Sequence, residues 1–249
     1  MVGLKALLFD FDGTLAETEE AHREAFNRAF SEAGLPFFWD QPTYKELLWV
    51  TGGKERIRHF LKTCPACPPL SDEEIARIHR RKNELFAQAV QKGLPLRPGV
   101  LRLLREAEEA GLTLGLATTT SPENVEAFLE GLGHSLRFDL ILAGGIVPRK
   151  KPDPAIYRLA LDRLGLSPEE VLAVEDSRNG LLSARGVGIP TLITPSLYTL
   201  DQEFSEAQAV LEHLGEPEAP ALVYQGPGRG ERRVVDLAYL EEVRRWSSI

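Results

Sequence analysis

Ala6-Leu7-Leu8-Phe9-Asp10-Phe11-Asp12-Gly13-Thr14-Leu15 is an apolar run that stops at two carboxylates and a glycine. A short apolar run bounded by a turn signal reads as a strand buried on both faces, as in a parallel sheet. Gly13 suits the sharp turn that would expose both aspartates. Similar runs recur at Leu112 to Ala117, Phe138 to Ala143, Val171 to Val174 and Thr191-Leu192-Ile193. Between them, about Val100 to Ala110, Val125 to Leu132 and Ala155 to Leu164 carry apolar residues at helical spacing. Alternating strands and helices imply βαβ units, so the fold class is α/β with a Rossmann-like parallel sheet core.

The gap after the first strand is too long for one crossover. One helix starts near Glu19 and aligns Ala21, Ala25, Phe26, Ala29, Phe30 and Ala33, with Gly34 as its C-terminal stop. Another starts at Ser71, whose partner Glu74 completes a capping-box pattern, and continues through Ile75, Ile78, Leu85, Phe86 and Ala89. Residues 16–95 therefore read as a helical cap domain inserted into a core of residues 1–15 and 96–249, with the return hinge at Gly93 to Gly99. Near the end, Leu222-Val223-Tyr224 and Arg233-Val234-Val235 flank Gln-Gly-Pro-Gly-Arg-Gly, a hairpin turn.

The 249 residues carry a formal net charge of −8 and no basic block, which argues against nucleic acid as a partner. No stretch approaches the ~18 consecutive apolar residues of a membrane helix, and the N-terminus has no secretory pattern, so a cytoplasmic location is expected; the chain is also expected to be a monomer with no membrane partner. Cys64 and Cys67 form a C-x-x-C that could be a redox pair or half a zinc site. No second pair completes a tetrahedral set, and they read as two incidental loop thiols.

Polar groups terminate three of the strands: Asp10 to Thr14, Thr118-Thr119-Thr120, and Glu175-Asp176-Ser177. A separate loop supplies Arg149-Lys150-Lys151-Pro152. Strand ends of a parallel sheet share one edge, where ligands bind, and a divalent cation relieves the repulsion of carboxylates gathered there. Thr118 could still be only a strand residue, Arg149 or Lys150 could stand in for Lys151, and Asp176 could be a helix cap.

In that order, Asp10-Phe11-Asp12-Gly13-Thr14-Leu15, Thr118, Lys151-Pro152 and Glu175-Asp176-Ser177 resemble the four motifs of the haloacid dehalogenase superfamily. The resemblance implies that Asp10 attacks phosphorus to form an aspartyl-phosphate. Asp12 would protonate the leaving oxygen and later activate water. Mg²⁺ would be held by Asp10, the Asp12 carbonyl and Asp176, with Glu175 assisting. Thr118 would hydrogen-bond a transferring oxygen, and Lys151 would offset its negative charge.

Helical spacing puts His79 and Lys82 on or beside the apolar face of the second cap helix, as a surface pair or as a grip on a second anion. Thr51-Gly52-Gly53-Lys54-Glu55 places two glycines beside a cation, which permits close approach of the backbone to an anion. Glu17 and His22 could meet sugar hydroxyls. The runs 15–23, 51–57, 79–82, 117–121, 150–154, 175–181 and 195–199 together resemble the CbbY group. That likeness implies conversion of xylulose-1,5-bisphosphate, an inhibitory by-product of ribulose bisphosphate carboxylase, to xylulose 5-phosphate. It also implies substrate contacts at Glu17, Thr51, Gly52, Gly53, Lys54, Glu55, His79, Arg80, Arg81, Lys82, Thr118, Thr119, Thr120, Ser121, Pro122, Glu123 and Asn124. Such a substrate offers one phosphate to Asp10 and another to Lys54, Arg81 or Lys82. Gly144-Gly145 departs from the Gly-Asp frequent in relatives. β-Phosphoglucomutase, phosphoglycolate or general sugar phosphatases, and a non-enzymatic role on the same fold are the competing readings.

Overall fold

In the computed structural model, residues 3–91, 93–132 and 137–246 are described. Strand β1 (Ala6–Phe9) is buried along its whole length. The chain continues through helices α1 (Glu19–Glu32), α2 (Gln41–Leu47), α3 (Gly53–Thr63) and α4 (Asp72–Val90), then α5 (Val100–Glu109) and β2 (Thr113–Ala117). There follow α6 (Pro122–Gly131), β3 (Leu140–Leu142), α7 (Ala155–Leu164), β4 (Val171–Glu175), α8 (Arg178–Arg185) and β5 (Thr191–Ile193). The last elements are β6 (Ala209–Leu211), β7 (Ala221–Gln225), β8 (Arg232–Arg233) and α9 (Leu237–Arg245).

The strands form one sheet in the order β3-β2-β1-β4-β5-β6-β7-β8. Pairing is parallel from β3 to β6 and antiparallel at β6/β7 and β7/β8. β1 lies between β2 and β4, with Phe9 in register with Leu116 on one side and Val174 on the other. That register delivers Asp10, Thr118 and Glu175 to one edge. The mostly parallel α/β sheet is the one the sequence led us to expect, and β7/β8 is the expected hairpin. Beside the sheet, Ile156, Tyr157 and Ala160 of α7 pack with Ala6, Leu8, Val171 and Ala173. Each large apolar side chain so buried contributes roughly 1.5–3 kcal/mol.

The chain divides into two compact units, residues 1–17, 95–118 and 135–249, and residues 18–94 and 119–134. By its place after β2, α6 is expected to belong with the sheet. In the structure α6 packs on α4 and falls in the second unit. That unit is helical, with α1 against α4 through the apolar stripe of Ala25, Phe26, Ala29 and Phe30. Its centre is a cluster of Phe26, Phe30, Phe37, Trp39, Tyr44 and Phe60 rings. The Ser71/Glu74 capping box opens α4, and Gly34, at φ +69°, follows the end of α1.

One expectation needs correction. Cys64 and Cys67 are joined by a disulfide (S–S 2.06 Å, Cα–Cα 5.3 Å) and are not incidental thiols. The Cys67 amide donates to the Cys64 carbonyl at 3.0 Å, a turn that brings the two sulfurs within bonding reach. Among the described residues no helix is long and apolar enough to cross a membrane.

Candidate active site

The site grows from the register of the sheet. Asp10 directly follows β1, and its amide donates to the Val174 carbonyl at 3.0 Å, prolonging the ladder by one residue. The chain then turns through Gly13, whose φ of +75° favours glycine. A Cβ at Gly13 would lie 2.3 Å from Asp176 Oδ2, so the glycine also lets this turn approach the acidic end of β4. The Thr118 amide, just past β2, donates to the Leu142 carbonyl at 2.9 Å, and the residue is buried.

Lys151 joins the two acidic strand ends. Its Nζ donates to Asp10 Oδ1 at 2.7 Å and to Glu175 Oε1 at 2.6 Å. The lysine is 5 % exposed and Glu175 is fully buried, so this is a desolvated ion cluster. Burial lifts the Asp10 carboxyl to about 7, with Glu175 and Asp12 pushing the same way and Lys151 opposing. Burial also opposes the Lys151 charge, yet Asp10 and Glu175 hold its pKa above the usual lysine range. Tyr157 OH donates to Glu175 Oε1, and burial beside that carboxylate raises the phenol's pKa well above its ordinary value.

Asp10, Glu175 and Asp176 each offer a carboxylate oxygen, all within 4.8 Å of one another. Glu175 Oε2 is buried without a hydrogen-bond partner, and Gly180 of α8 lies so close that a Cβ there would come within 1.9 Å of it. An all-oxygen, anionic donor set with spare acceptor capacity suits a hard divalent cation. Asp176 is steadied by Thr199 Oγ1, which donates to its carbonyl at 2.7 Å. Asp12 is half-buried on the same turn.

The other residues singled out in the sequence lie as follows. Glu17 is half-buried in the sheet unit and faces Arg97, with Glu17 Oε1 3.3 Å from Arg97 Nε. In the helical unit His22 and Lys82 are both buried, with Lys82 Nζ 2.7 Å from His22 Nδ1. Lys82 also lies over the Phe26 and Phe86 rings, and His22 stacks on Phe86. Thr51 is half-buried ahead of Gly52, which caps α3 at φ +100°. Gly53 approaches so near that a Cβ would meet His79 Nε2 at 2.4 Å. Lys54 is exposed and Glu55 half-buried in the first turn of α3. On α4 Arg80 is exposed, while Arg81 is paired with Glu32 at 2.5 Å and Glu84 at 2.7 Å. Thr119 and Ser121 are half-buried, Thr120 is buried, and Pro122 and Glu123 are exposed. Asn124 is buried, donates to Asn83 Oδ1 at 3.3 Å and leaves its own Oδ1 without a partner.

Sequence reasoning missed Tyr157, Thr199 and Arg97. Tyr157 fits the apolar stripe of α7 and reads as core. Thr199 lies in a stretch noted only for its resemblance, and Arg97 is one cation in a Pro/Gly-rich link.

The sequence profile of haloacid dehalogenase-like hydrolases matches residues 4–188. The chain is 49% identical over 220 residues to protein CbbY of Cereibacter sphaeroides, covering 86% of this chain and 94% of that one. It is 46% identical over 244 residues to the plasmid-borne protein CbbY of Cupriavidus necator, covering 95% of each. A crystal structure of a Rhodobacter sphaeroides CbbY mutant in complex with xylulose-1,5-bisphosphate superposes with a TM-score of 0.80 at 48% identity, covering 84% of this chain and 94% of that one. With the acidic strand ends and Lys151 gathered at one sheet edge, the chain belongs to the haloacid dehalogenase-like hydrolases, within the CbbY group, and is a phosphoric monoester hydrolase.

Proposed function

We propose that this phosphatase uses Mg²⁺ and an aspartyl-phosphate to convert xylulose-1,5-bisphosphate to xylulose 5-phosphate. The observation that carries the reading is Lys151 between Asp10 and Glu175, with Asp176 alongside, at the central strand ends. The sugar bisphosphate is supported by the Rhodobacter sphaeroides complex, at 48% identity.

Asp10 is the nucleophile, and its carboxylate attacks phosphorus as the ester oxygen departs. Asp12, two residues on, delivers a proton to that oxygen and then takes one from the water that hydrolyses the acyl phosphate. Lys151 holds positive charge against the transferring oxygens, and the Thr118 hydroxyl donates to one of them. Asp10, the Asp12 carbonyl, Glu175 and Asp176 would hold Mg²⁺. When bound, the ion neutralises phosphate charge and relieves repulsion between the carboxylates. Residues 16–95 act as the cap, and Glu17, His22, residues 51–55, 79–82 and 118–124 read the sugar and its second phosphate. Within that set Lys54, exposed in the first turn of α3, is the preferred partner of the distal phosphate, because Arg81 is already paired with Glu32 and Glu84 and Lys82 is buried beside His22. The enzyme works as a cytoplasmic monomer in this reading, and size-exclusion chromatography tests the second point.

The deciding assay measures phosphate released from xylulose-1,5-bisphosphate with Mg²⁺, with EDTA, and with Mg²⁺ restored. We expect one equivalent, lost with EDTA and recovered on restoration. Turnover that ignores EDTA overturns the metal, and turnover of other phosphate esters alone overturns the substrate. Conversion of β-glucose 1-phosphate to glucose 6-phosphate without free phosphate replaces hydrolysis by a mutase reaction.

A further inference from the structure

Arg97 sits between the return from the helical insert and α5, in a segment stitched to the first loop of the sheet unit. Its amide donates to the Leu15 carbonyl at 2.8 Å, and Leu96 bridges to Ala16. The side chain is 8% exposed. A guanidinium has five N–H donors and no acceptor, so a buried one must find an acceptor for each. Here each nitrogen faces acceptors. Nη1 donates to the Gly13 carbonyl, to the Thr194 carbonyl at 2.6 Å and to Thr194 Oγ1 at 3.3 Å. Nη2 donates to the Pro195 carbonyl at 2.8 Å and the Glu212 carbonyl at 3.2 Å. Nε lies 3.3 Å from Glu17 Oε1.

Those acceptors have different origins. Gly13 is the residue after Asp12, in the turn that approaches Asp176. Thr194 and Pro195 follow β5, next to β4 and its acidic end. Glu17 is half-open, and its other oxygen faces the Leu197 amide at 3.4 Å. One rigid planar group thus ties the Asp12 turn, the loop after β5 and the Glu17 carboxylate together.

We infer that Arg97 is a positioning residue for phosphoryl transfer, fixing the Asp12 turn through the Gly13 carbonyl and presenting Glu17 to the sugar. Its Glu17 arm rests on the sugar-phosphate reading; its Asp12 arm needs only phosphatase chemistry. Lysine cannot replace it, having three donors on one nitrogen and no planar fork. Displacement of a catalytic group by an ångström costs up to about a hundredfold in rate.

Arg102 supplies a matched control. It is a half-buried arginine of the same unit whose Nη2 donates to the Leu214, Gly215 and Val235 carbonyls, none of them in the catalytic set. Arg97→Lys and Arg102→Lys are compared by circular dichroism, thermal midpoint, and kcat and KM on p-nitrophenyl phosphate and on xylulose-1,5-bisphosphate. Arg97→Lys should lower kcat on p-nitrophenyl phosphate by about tenfold or more in folded protein and raise KM for the bisphosphate. Arg102→Lys should lower the midpoint and leave kcat at the wild-type value. Wild-type kcat in folded Arg97→Lys, or an equal kcat loss in both variants, overturns the proposal. If Arg97→Lys does not fold, Glu17→Ala carries the test. Because Nη1 and Nη2 keep their own acceptors when Glu17 is removed, the readout of that variant is KM for the bisphosphate: a rise of about threefold or more is expected, and an unchanged KM overturns the inference. If the wild type hydrolyses p-nitrophenyl phosphate but not the bisphosphate, the substrate reading fails while the Asp12 arm is still measured.

Discussion

Lys151 in the sheet unit and Lys82 in the helical unit are equally buried, at 5% exposure each, but their surroundings differ. Lys151 is gripped by two carboxylates, whereas Lys82 meets an imidazole nitrogen and two phenyl faces. Removing the first leaves anions stranded in low dielectric. Removing the second leaves a buried imidazole nitrogen and two phenyl faces. A buried cation is therefore costly to delete in proportion to what it leaves behind.

The largest expected effect is chemical. Asp10→Asn removes the nucleophile and should cut kcat by roughly a thousandfold or more, with the fold intact by circular dichroism. Next is Lys151→Met, which strands Asp10 and Glu175 and should lower unfolding free energy by about 3 kcal/mol in urea titrations. Gly180→Ala comes third. Its methyl would intrude on Glu175 Oε2, so a loss of about 1–3 kcal/mol and weaker Mg²⁺ binding by calorimetry are expected. Fourth, pH should tune the sheet unit. Burial lifts Asp10 from 3.8 to about 7, so between these values the folded metal-free chain keeps a proton that the unfolded chain has lost. Stability without metal should then fall as pH rises from about 4 to about 7. Lys151 adds no slope there, because a raised lysine pKa gives a contribution that is constant below the ordinary lysine range. Thermal midpoints with and without Mg²⁺ measure this, and the ion should flatten the trend. The smallest effect belongs to Lys82→Met, where the His22 contact and two buried cation–π contacts of about 2 kcal/mol each are lost but relief of a buried charge offsets them. A loss there as large as that of Lys151→Met would erase the contrast.

Much of this contrast was legible in the residues, and the reasons are local. Ala6–Phe9 ending at Asp10, and Val171–Glu175 ending at Asp176, announce themselves because apolar runs stop at charge. Ser71 and Glu74 likewise mark the start of α4 without help from packing. What stayed hidden depends on contacts distant in sequence. Tyr157 is indistinguishable from core until its hydroxyl is seen at Glu175, and Arg97 looks solvated until its acceptors arrive from residues 13, 17, 194, 195 and 212. β6 is too short for periodicity to register, and the α6 stripe does not say which unit it faces. Nor did the spacing of Cys64 and Cys67 disclose that the sulfurs are bonded.

The alignment of Phe9 with Val174 has a further consequence. Sliding β1 by one residue would exchange the faces of Ala6, Leu7, Leu8 and Phe9, because side chains alternate across a pleat, and Asp10 would swing away from Glu175. Calorimetry would register the slip as a loss of a few kcal/mol, about the cost of breaking one buried ion cluster. Turnover would vanish, which makes catalysis the sharper proofreader of how this chain has been assembled.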